Sequence, residues 1–273
     1  MRIARQLVSD FLGLWRVCGF VFAMKWGWQV LRHLGQCRRR RDLQPADLAL
    51  GNGPFHARLG KSQAKVAGAG IVTGIREIWV RDCYLADGFL EIRDGDLVLD
   101  LGANIGTFTM LALGHGPNVR VLAVEPNGVA GESLVSTARL HLSESAKSAA
   151  RDPEAPVRFQ WCRVFLGGNT RTQEELMVQP AYRGSRFLPQ DDFIQQFGLT
   201  KIDFLKCDIE GSEFELLTRE SPLLKMSRQL AIELHTAYGD VEAFRKMLEE
   251  LGFLVNLRHS SPTDCILNAR RPS

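Results

Sequence analysis

From residue 65 onward, short apolar runs alternate with segments of helical length, and that alternation leaves few folds open. "LVLDL" (97–101) and "VRVLAVEP" (119–126) are runs of the kind buried inside a parallel sheet. Between them "IGTFTMLALGHG" (105–116) has the length of a helix and the stop signals Gly114 and Gly116. "GVAGESLVSTARLHL" (128–142) spaces its apolar residues for a second helix. The pattern predicts further strands at "VRFQWCRVF" (157–165), "KIDFLKCDIE" (201–210) and "RQLAIELH" (228–235). It predicts helices at "DDFIQQFG" (191–198), capped by an acid and ended by glycine, at "SEFELLTR" (212–219), and at the amphipathic "DVEAFRKMLEELG" (240–252). "KVAGAGIVTG" and "REIWV", upstream, read as strands of an entry hairpin or a partly covered edge. "SESAKSAARDPEAP" (143–156) reads as a surface loop. "FLVNLRH" and "DCILNAR" close the chain as an antiparallel hairpin. The expected class is α/β: a Rossmann-like, mostly parallel sheet with helices on both faces and right-handed crossovers, preceded by an N-terminal helical segment.

That N-terminal segment, "DFLGLWRVCGFVFAMKWGWQVLRHL" (10–34), is the most apolar part of the chain. Arg16 and Lys25 interrupt it, so no unbroken span reaches the ~18–20 residues of a membrane helix. Arg16 and the lack of a small-residue cleavage site also argue against a signal peptide. The reading placed first is a helix packed on its own domain, followed by a solvated basic loop at "RRRR" (38–41). The second is peripheral membrane contact through residues 10–41, with Trp15, Trp26 and Trp28 at headgroup depth and the arginines on anionic lipid. A full span comes third. "DLQPADLALGNGPFHARLGKSQ" (42–63) is rich in turn formers and reads as a linker into short strands, with a boundary near residue 50.

A net charge of +3 is too small to argue for nucleic acid, and none is expected as a partner. The cysteines, at 18, 37, 83, 162, 207 and 265, form no C-x-x-C pair and no zinc spacing. They read as reduced thiols packing as small hydrophobes, which fits a cytoplasmic protein.

Open α/β sheets bind ligands beyond the carboxyl ends of their strands. Asp100, Gly102, Asn104 and Gly106 are expected just past the first strand, and Glu125 ends the next. The dinucleotide fingerprint wants G-x-G-x-x-G, whereas this loop reads "DLGANIG". Asp100 would repel a phosphate but suit a cation or hydroxyls. S-adenosylmethionine has no phosphate, carries a sulfonium and an ammonium, and offers a ribose diol to an acid such as Glu125.

"VLDLGANIGTFT" resembles motif I of the class I S-adenosylmethionine-dependent methyltransferases. Together with "EP", "KCDIEGSE" and the entry segment "REIWVRDCYL", it makes the chain similar to the FkbM family over roughly 77–257. The resemblance implies a methyltransferase domain over 51–273 with its core at 77–257, after an N-terminal segment at 1–50. It implies S-adenosylmethionine as cofactor, with Gly102, Asn104 and Gly106 along the methionine part and Glu125 on the ribose. Asp100 and Asp208 complete the expected cofactor set. It implies an O-methyltransferase acting on a hydroxyl of a sugar, polyketide, lipid or other small molecule.

"FLKCDIEGSE" puts Lys206, Asp208 and Glu210 on one side of a strand by its period of two, and Glu213 opens the next helix. Acids this close repel unless a ligand, a lysine or a helix N-terminus offsets them, and Lys206 is a local candidate. "AIELH" places Glu233 and His235 on one face. The resemblance implies active-site roles for both blocks. His235 is the first choice for general base, since an unperturbed histidine titrates near neutrality. Glu210 or Glu213 could serve instead or orient it, and the expected catalytic set is His235, Glu210, Glu213, Glu233 and Lys206. A divalent ion on Asp208, Glu210, Glu233 and His235 is chemically feasible but ranks below a metal-free reading, so no metal is expected. Two other functions stay open: an NAD(P)-dependent Rossmann oxidoreductase, against which the missing third glycine and Asp100 count, and a membrane-tethered module without catalysis, against which the acidic blocks count. The segments at 167–189 and before Glu77 are expected to shape the acceptor pocket.

Overall fold

The computed structural model describes residues 2–59, 62–85, 88–146, 157–168, 170–259 and 264–272. Two compact units divide the chain. One comprises Met1–Cys83, Ile105–His115 and Ser133–Ala155; the other comprises Tyr84–Asn104, Gly116–Glu132 and Pro156–Ser273.

The first unit opens with three helices, α1 (Arg2–Cys18), α2 (Phe20–Arg32) and α3 (Leu34–Arg40). Leu14, Ala23, Trp26 and Val30 are buried. Trp26, which only the second, membrane reading set at headgroup depth, is buried as in the packed-helix reading and donates its indole N–H to Asp47 Oδ1 at 2.7 Å. Among the described residues no helix is long and apolar enough to cross a membrane. The expected linker carries structure of its own: a helix at Gln44–Leu48, then strand β1 (Phe55–Leu59), which pairs antiparallel with β2 (Ser62–Val66). "REIWV" is not a strand but part of a π-helical stretch, Ile75–Val80, continuing the helix Ile71–Gly74. Ile71, Ile75 and Trp79 recur at helical spacing and are buried. Arg76, which looks like a solvent residue in an alternating pattern, is fully buried and held by Asp47 at 2.9 Å and Asp10 at 3.5 Å.

The second unit is built on a seven-stranded sheet. Its strands are β3 (Leu97–Leu101), β4 (Arg120–Val124), β5 (Phe159–Cys162), β8 (Phe204–Cys207), β9 (Gln229–His235), β10 (Leu254–His259) and β11 (Asp264–Arg270), with β6 (Val164–Leu166) and β7 (Arg186–Leu188) forming a separate parallel pair. The order is β10-β11-β9-β8-β3-β4-β5, parallel from β9 to β5 and antiparallel on both sides of β11. This is the Rossmann-like α/β fold with its C-terminal antiparallel hairpin. The chain runs from β3 through β4 to β5 in one direction and then returns to place β8 on the other side of β3, so the topological switch lies between β3 and β8.

Some elements differ from expectation for local reasons. The run at 157–165 breaks at Arg163, whose guanidinium reaches Arg183 O and Ser185 Oγ, and the chain continues as the fully buried β6. The run at 201–210 is a strand only over β8; Asp208 to Gly211 turn away, with Glu210 and Gly211 at φ +56° and +101°. The helix after it has one turn, Glu213–Leu216. Asp191 and Asp192 sit in the first turn of the helix Gln190–Phe197 rather than at its cap, which Pro189 occupies, while Gly198 ends it as expected. The helix from Gly128 extends to Ala146, into the expected loop; 147–156 lies outside the described residues, as does the hairpin turn at 260–263.

Candidate active site

The carboxyl ends of β3 and β4 and the turn after β8 line one pocket of the second unit. Its wall includes Gly102, Asn104, Glu125, Tyr182, Asp208 and Glu210. The loop after β3 is shaped by close approach: a Cβ on Gly102 (φ +73°) would lie 1.7 Å from the Asp208 carbonyl oxygen. The small residue therefore gives clearance to the neighbouring strand end. Asn104 also takes a left-handed conformation (φ +49°), and its N–H donates to Glu125 Oε2 at 2.7 Å. The N–H of Asn127 donates to Glu125 Oε1 at 2.6 Å. Glu125 thus staples its own loop to the loop after β3. Burial raises its carboxyl pKa, and these two amides oppose the rise.

The chemistry of this wall fits S-adenosylmethionine. Each Glu125 oxygen accepts one amide and keeps a lone pair for a ribose hydroxyl. Asp208 and Glu210 offer acceptors to a cationic group. Phe165 and Tyr182, stacked with centroids 5.5 Å apart, supply an aromatic side. A pyrophosphate would meet a different welcome: the amides of Asn104 and Asn127 are already spent on Glu125, and the charged side chains of the wall, Glu125, Asp208 and Glu210, are all carboxylates.

Six expected members, Asp100, Gly106, Lys206, Glu213, Glu233 and His235, are not in the pocket's wall. Asp100 is inside β3, not beyond it, and is fully buried. Lys206 is 3 % exposed and donates to Gly102 O at 2.7 Å and Leu101 O at 3.2 Å. Its amine also faces Asp100 Oδ1 at 3.4 Å and Asp208 Oδ2 at 3.7 Å. Burial pushes the lysine pKa down, but Asp100 and Asp208 outweigh it and hold it above the usual range. Lys206 is a permanently charged clamp joining β3 and β8. Gly106 belongs to the first unit, where a Cβ would strike Leu134 Cδ1 at 2.3 Å, so it serves helix packing.

The acidic blocks meet as expected. Fully buried Glu213 accepts from the amides of Ile209 at 2.9 Å and Gly211 at 3.1 Å through Oε1, and the same oxygen lies 3.1 Å from His235 Nδ1. His235 Nε2 points the other way, 3.6 Å from Oε2 of the exposed Glu210. The Glu213 hydrogen bond raises the histidine pKa to about 9, against the opposing pull of burial. Tyr84, part of the entry segment "REIWVRDCYL" but given no role from sequence, donates its hydroxyl to Glu233 Oε2 at 3.1 Å and lies 3.4 Å from Asp208 Oδ2. Burial and the neighbouring Asp208 raise the Glu233 pKa to about 7. Asp208, Glu213 and His235 also offer metal-ligating atoms within 4.8 Å of one another. The amides and His235 all use Glu213 Oε1, and Glu213 Oε2 is buried without a hydrogen-bond partner among the described residues, so a cation taking His235 Nδ1 would displace the Glu213–His235 bond but not the two amides. Asn127 and Tyr182 also went unread; neither stands at a spacing that marks it. Gln173, Leu176 and Tyr182 of the 167–189 segment do line the pocket.

Residues 100–255 match the family model described as the methyltransferase FkbM domain. The chain is 30 % identical over 210 residues to the 31-O-demethyl-FK506 methyltransferase FkbM of Streptomyces tacrolimicus, covering 66 % of this chain and 80 % of that protein. It is 22 % identical over 201 residues to Methyltransferase 1 of Beauveria bassiana, covering 66 % and 80 %. Among solved structures, methyltransferase FkbM from Methylobacillus flagellatus KT is similar at 19 % identity and a TM-score of 0.46, over 89 % of this chain and 60 % of that one.

Proposed function

The chain belongs to the FkbM methyltransferase family, and from that premise we propose that it methylates a hydroxyl oxygen of a small-molecule acceptor. It is a methyltransferase, and its cofactor is S-adenosylmethionine, which supplies an electrophilic methyl group on a sulfonium. Oxygen as the acceptor atom is supported by the relative named for 31-O-demethyl-FK506 and by the need a hydroxyl has for a base.

The observation that carries the reading is the orientation of His235. With Nδ1 tied to Glu213, the neutral ring keeps its proton there and leaves Nε2 as acceptor toward Glu210, which itself lines the pocket. An acceptor hydroxyl placed at Nε2 would pass its proton to that nitrogen as its oxygen takes the methyl group, the methyl–sulfur bond breaking to leave a neutral thioether. Glu213 then stabilises the imidazolium, and the backbone amides of Ile209 and Gly211 hold its carboxylate in place. Transfer of this kind is largely a matter of alignment. Glu125 is assigned to the ribose, and Asp208 with Asn104 to the methionine end. Lys206 fixes Asp208 and the Gly102 carbonyl, so it positions the site without touching the reacting atoms. The Tyr84 hydroxyl stands between the Asp208 and Glu233 carboxylates.

Calorimetric titration with S-adenosylmethionine tests the cofactor half. Mass spectrometry of extracts from a host with and without the gene tests the acceptor half. A product methylated on carbon or nitrogen would overturn the assignment to oxygen.

A further inference from the structure

The α1–α2 hairpin buries one face and leaves a large apolar face open. Leu12, Trp15, Val21, Met24, Trp28 and Leu31 are 41 to 67 % exposed. Val21, Met24, Trp28 and Leu31 recur at helical spacing along α2, opposite the buried Ala23, Trp26 and Val30. Trp15 meets Phe20 edge-on at 5.2 Å across the Gly19 corner, which joins the apolar surfaces of the two helices. Exposed apolar area of this extent marks a docking surface.

Charge identifies the occupant. Residues 11–41 carry seven arginines and lysines and no aspartate or glutamate. Arg16, Lys25 and Arg32 are exposed beside the apolar residues, and Arg38, Arg39 and Arg40 are exposed along α3. The nearest preceding acid, Asp10, is buried and consumed by Arg76 and Arg81, so it cancels none of that surface charge. A cleft in the same unit, walled by Leu7, Val30 and Leu34, is edged by Arg38, Arg41 and Arg81 against a single acid, Asp42, so cations still outnumber acids there. A protein partner would have to answer seven cations with a matching acidic surface. An anionic bilayer does so everywhere, and its interface accepts tryptophan at headgroup depth.

We propose that the α1–α2 hairpin lies in the plane of an anionic lipid surface, its open apolar face inserted among the acyl chains and its arginines on the headgroups. The hairpin rests on the membrane and does not span it.

Flotation of the full chain with phosphatidylcholine vesicles, with and without phosphatidylglycerol, tests this. Binding is expected to the anionic vesicles and to weaken with salt. Trp15→Ser with Trp28→Ser should lower partitioning at least about tenfold. Changing Arg38, Arg39, Arg40 and Arg41 to Gln should lower it by a similar factor on anionic vesicles only. Unaltered melting and S-adenosylmethionine binding would show that both variants fold. The proposal falls if the parent protein floats with neither vesicle. It also falls if the tryptophan variant floats like the parent, or if the parent forms a lipid-independent dimer that the tryptophan variant abolishes.

Discussion

His235 Nδ1 lies 3.1 Å from Oε1 of Glu213, a carboxylate with no exposure to solvent. That pair turns an ordinary histidine into a strong base with a fixed tautomer. It also means that the ring is mostly protonated at neutral pH, since its pKa stands near 9.

The first prediction concerns pH. A base must be deprotonated to act, so kcat/KM for the acceptor should climb about tenfold per pH unit below the histidine pKa and level off above about 9. His235→Ala should remove that limb and lower kcat by roughly 100-fold or more. A limb centred near 7 in the parent would transfer the role to Glu233, whose carboxyl titrates there.

Glu213→Gln tests the pair itself. Nuclear magnetic resonance should show the His235 pKa falling from about 9 toward the ordinary 6.5. The sign of the stability change follows from the raised pKa. The pair contributes fully below about 6.5, where the folded and unfolded forms both carry the proton, and the contribution fades as pH rises through about 9. The variant's deficit in urea unfolding, on the order of 2–3 kcal/mol at pH 6, should therefore shrink at pH 10. A deficit independent of pH would sink the linkage.

Lys206→Met removes the charge beneath the pocket. It leaves Asp100 buried opposite a thioether, and such half-broken pairs cost about 3–5 kcal/mol. Adding Asp100→Asn should recover part of that loss, which a lysine acting only in the chemical step would not permit. Equal stability of the single and double variants would refute the clamp.

How much of this was legible in the sequence varies with what each residue does. Strand runs such as "LVLDL" and the closing hairpin were legible because burial on two faces, or on alternate faces, writes itself into apolar pattern. "REIWV" misled because a buried arginine paired with Asp47 breaks the rule that charge marks solvent. Glu210, Glu213 and His235 were legible as a cluster, since each stands at the end of a strand or in the turn after it. Their division of labour was not. That Lys206 lies under the loop while Glu210 faces the pocket depends on the turn at Glu210 and Gly211, which ends β8 earlier than period two suggests. Tyr84 reaches Glu233 across 149 positions of chain, a pairing no local spacing encodes.

Gly102→Ala asks whether the glycine after β3 serves backbone clearance. The added carbon would fall 1.7 Å from the Asp208 carbonyl oxygen, at a φ of +73° that side chains avoid. β3 and β8 must then separate where Asp208 N donates to Leu101 O at 3.1 Å. A loss of about 2–4 kcal/mol in unfolding free energy is expected, with weaker cofactor binding as a consequence. A stable variant that merely lost S-adenosylmethionine would reassign the glycine to cofactor contact.

Glu125 decides the cofactor assignment. Its two oxygens accept from Asn104 and Asn127, and an amide cannot replace both, because its NH2 would face one of those N–H groups. Glu125→Gln and Glu125→Ala should each weaken S-adenosylmethionine binding by about tenfold to 100-fold in calorimetry, through loss of the diol acceptor and of the loop staple. Burial raises the carboxyl pKa, so protonation on acidification begins above the ordinary glutamate range. Parent affinity should therefore start to fall at a higher pH than an exposed glutamate would give, and the Gln variant should lose that pH dependence. Affinity unchanged in both variants would remove Glu125 from the cofactor and leave it a purely structural staple between the loops after β3 and β4.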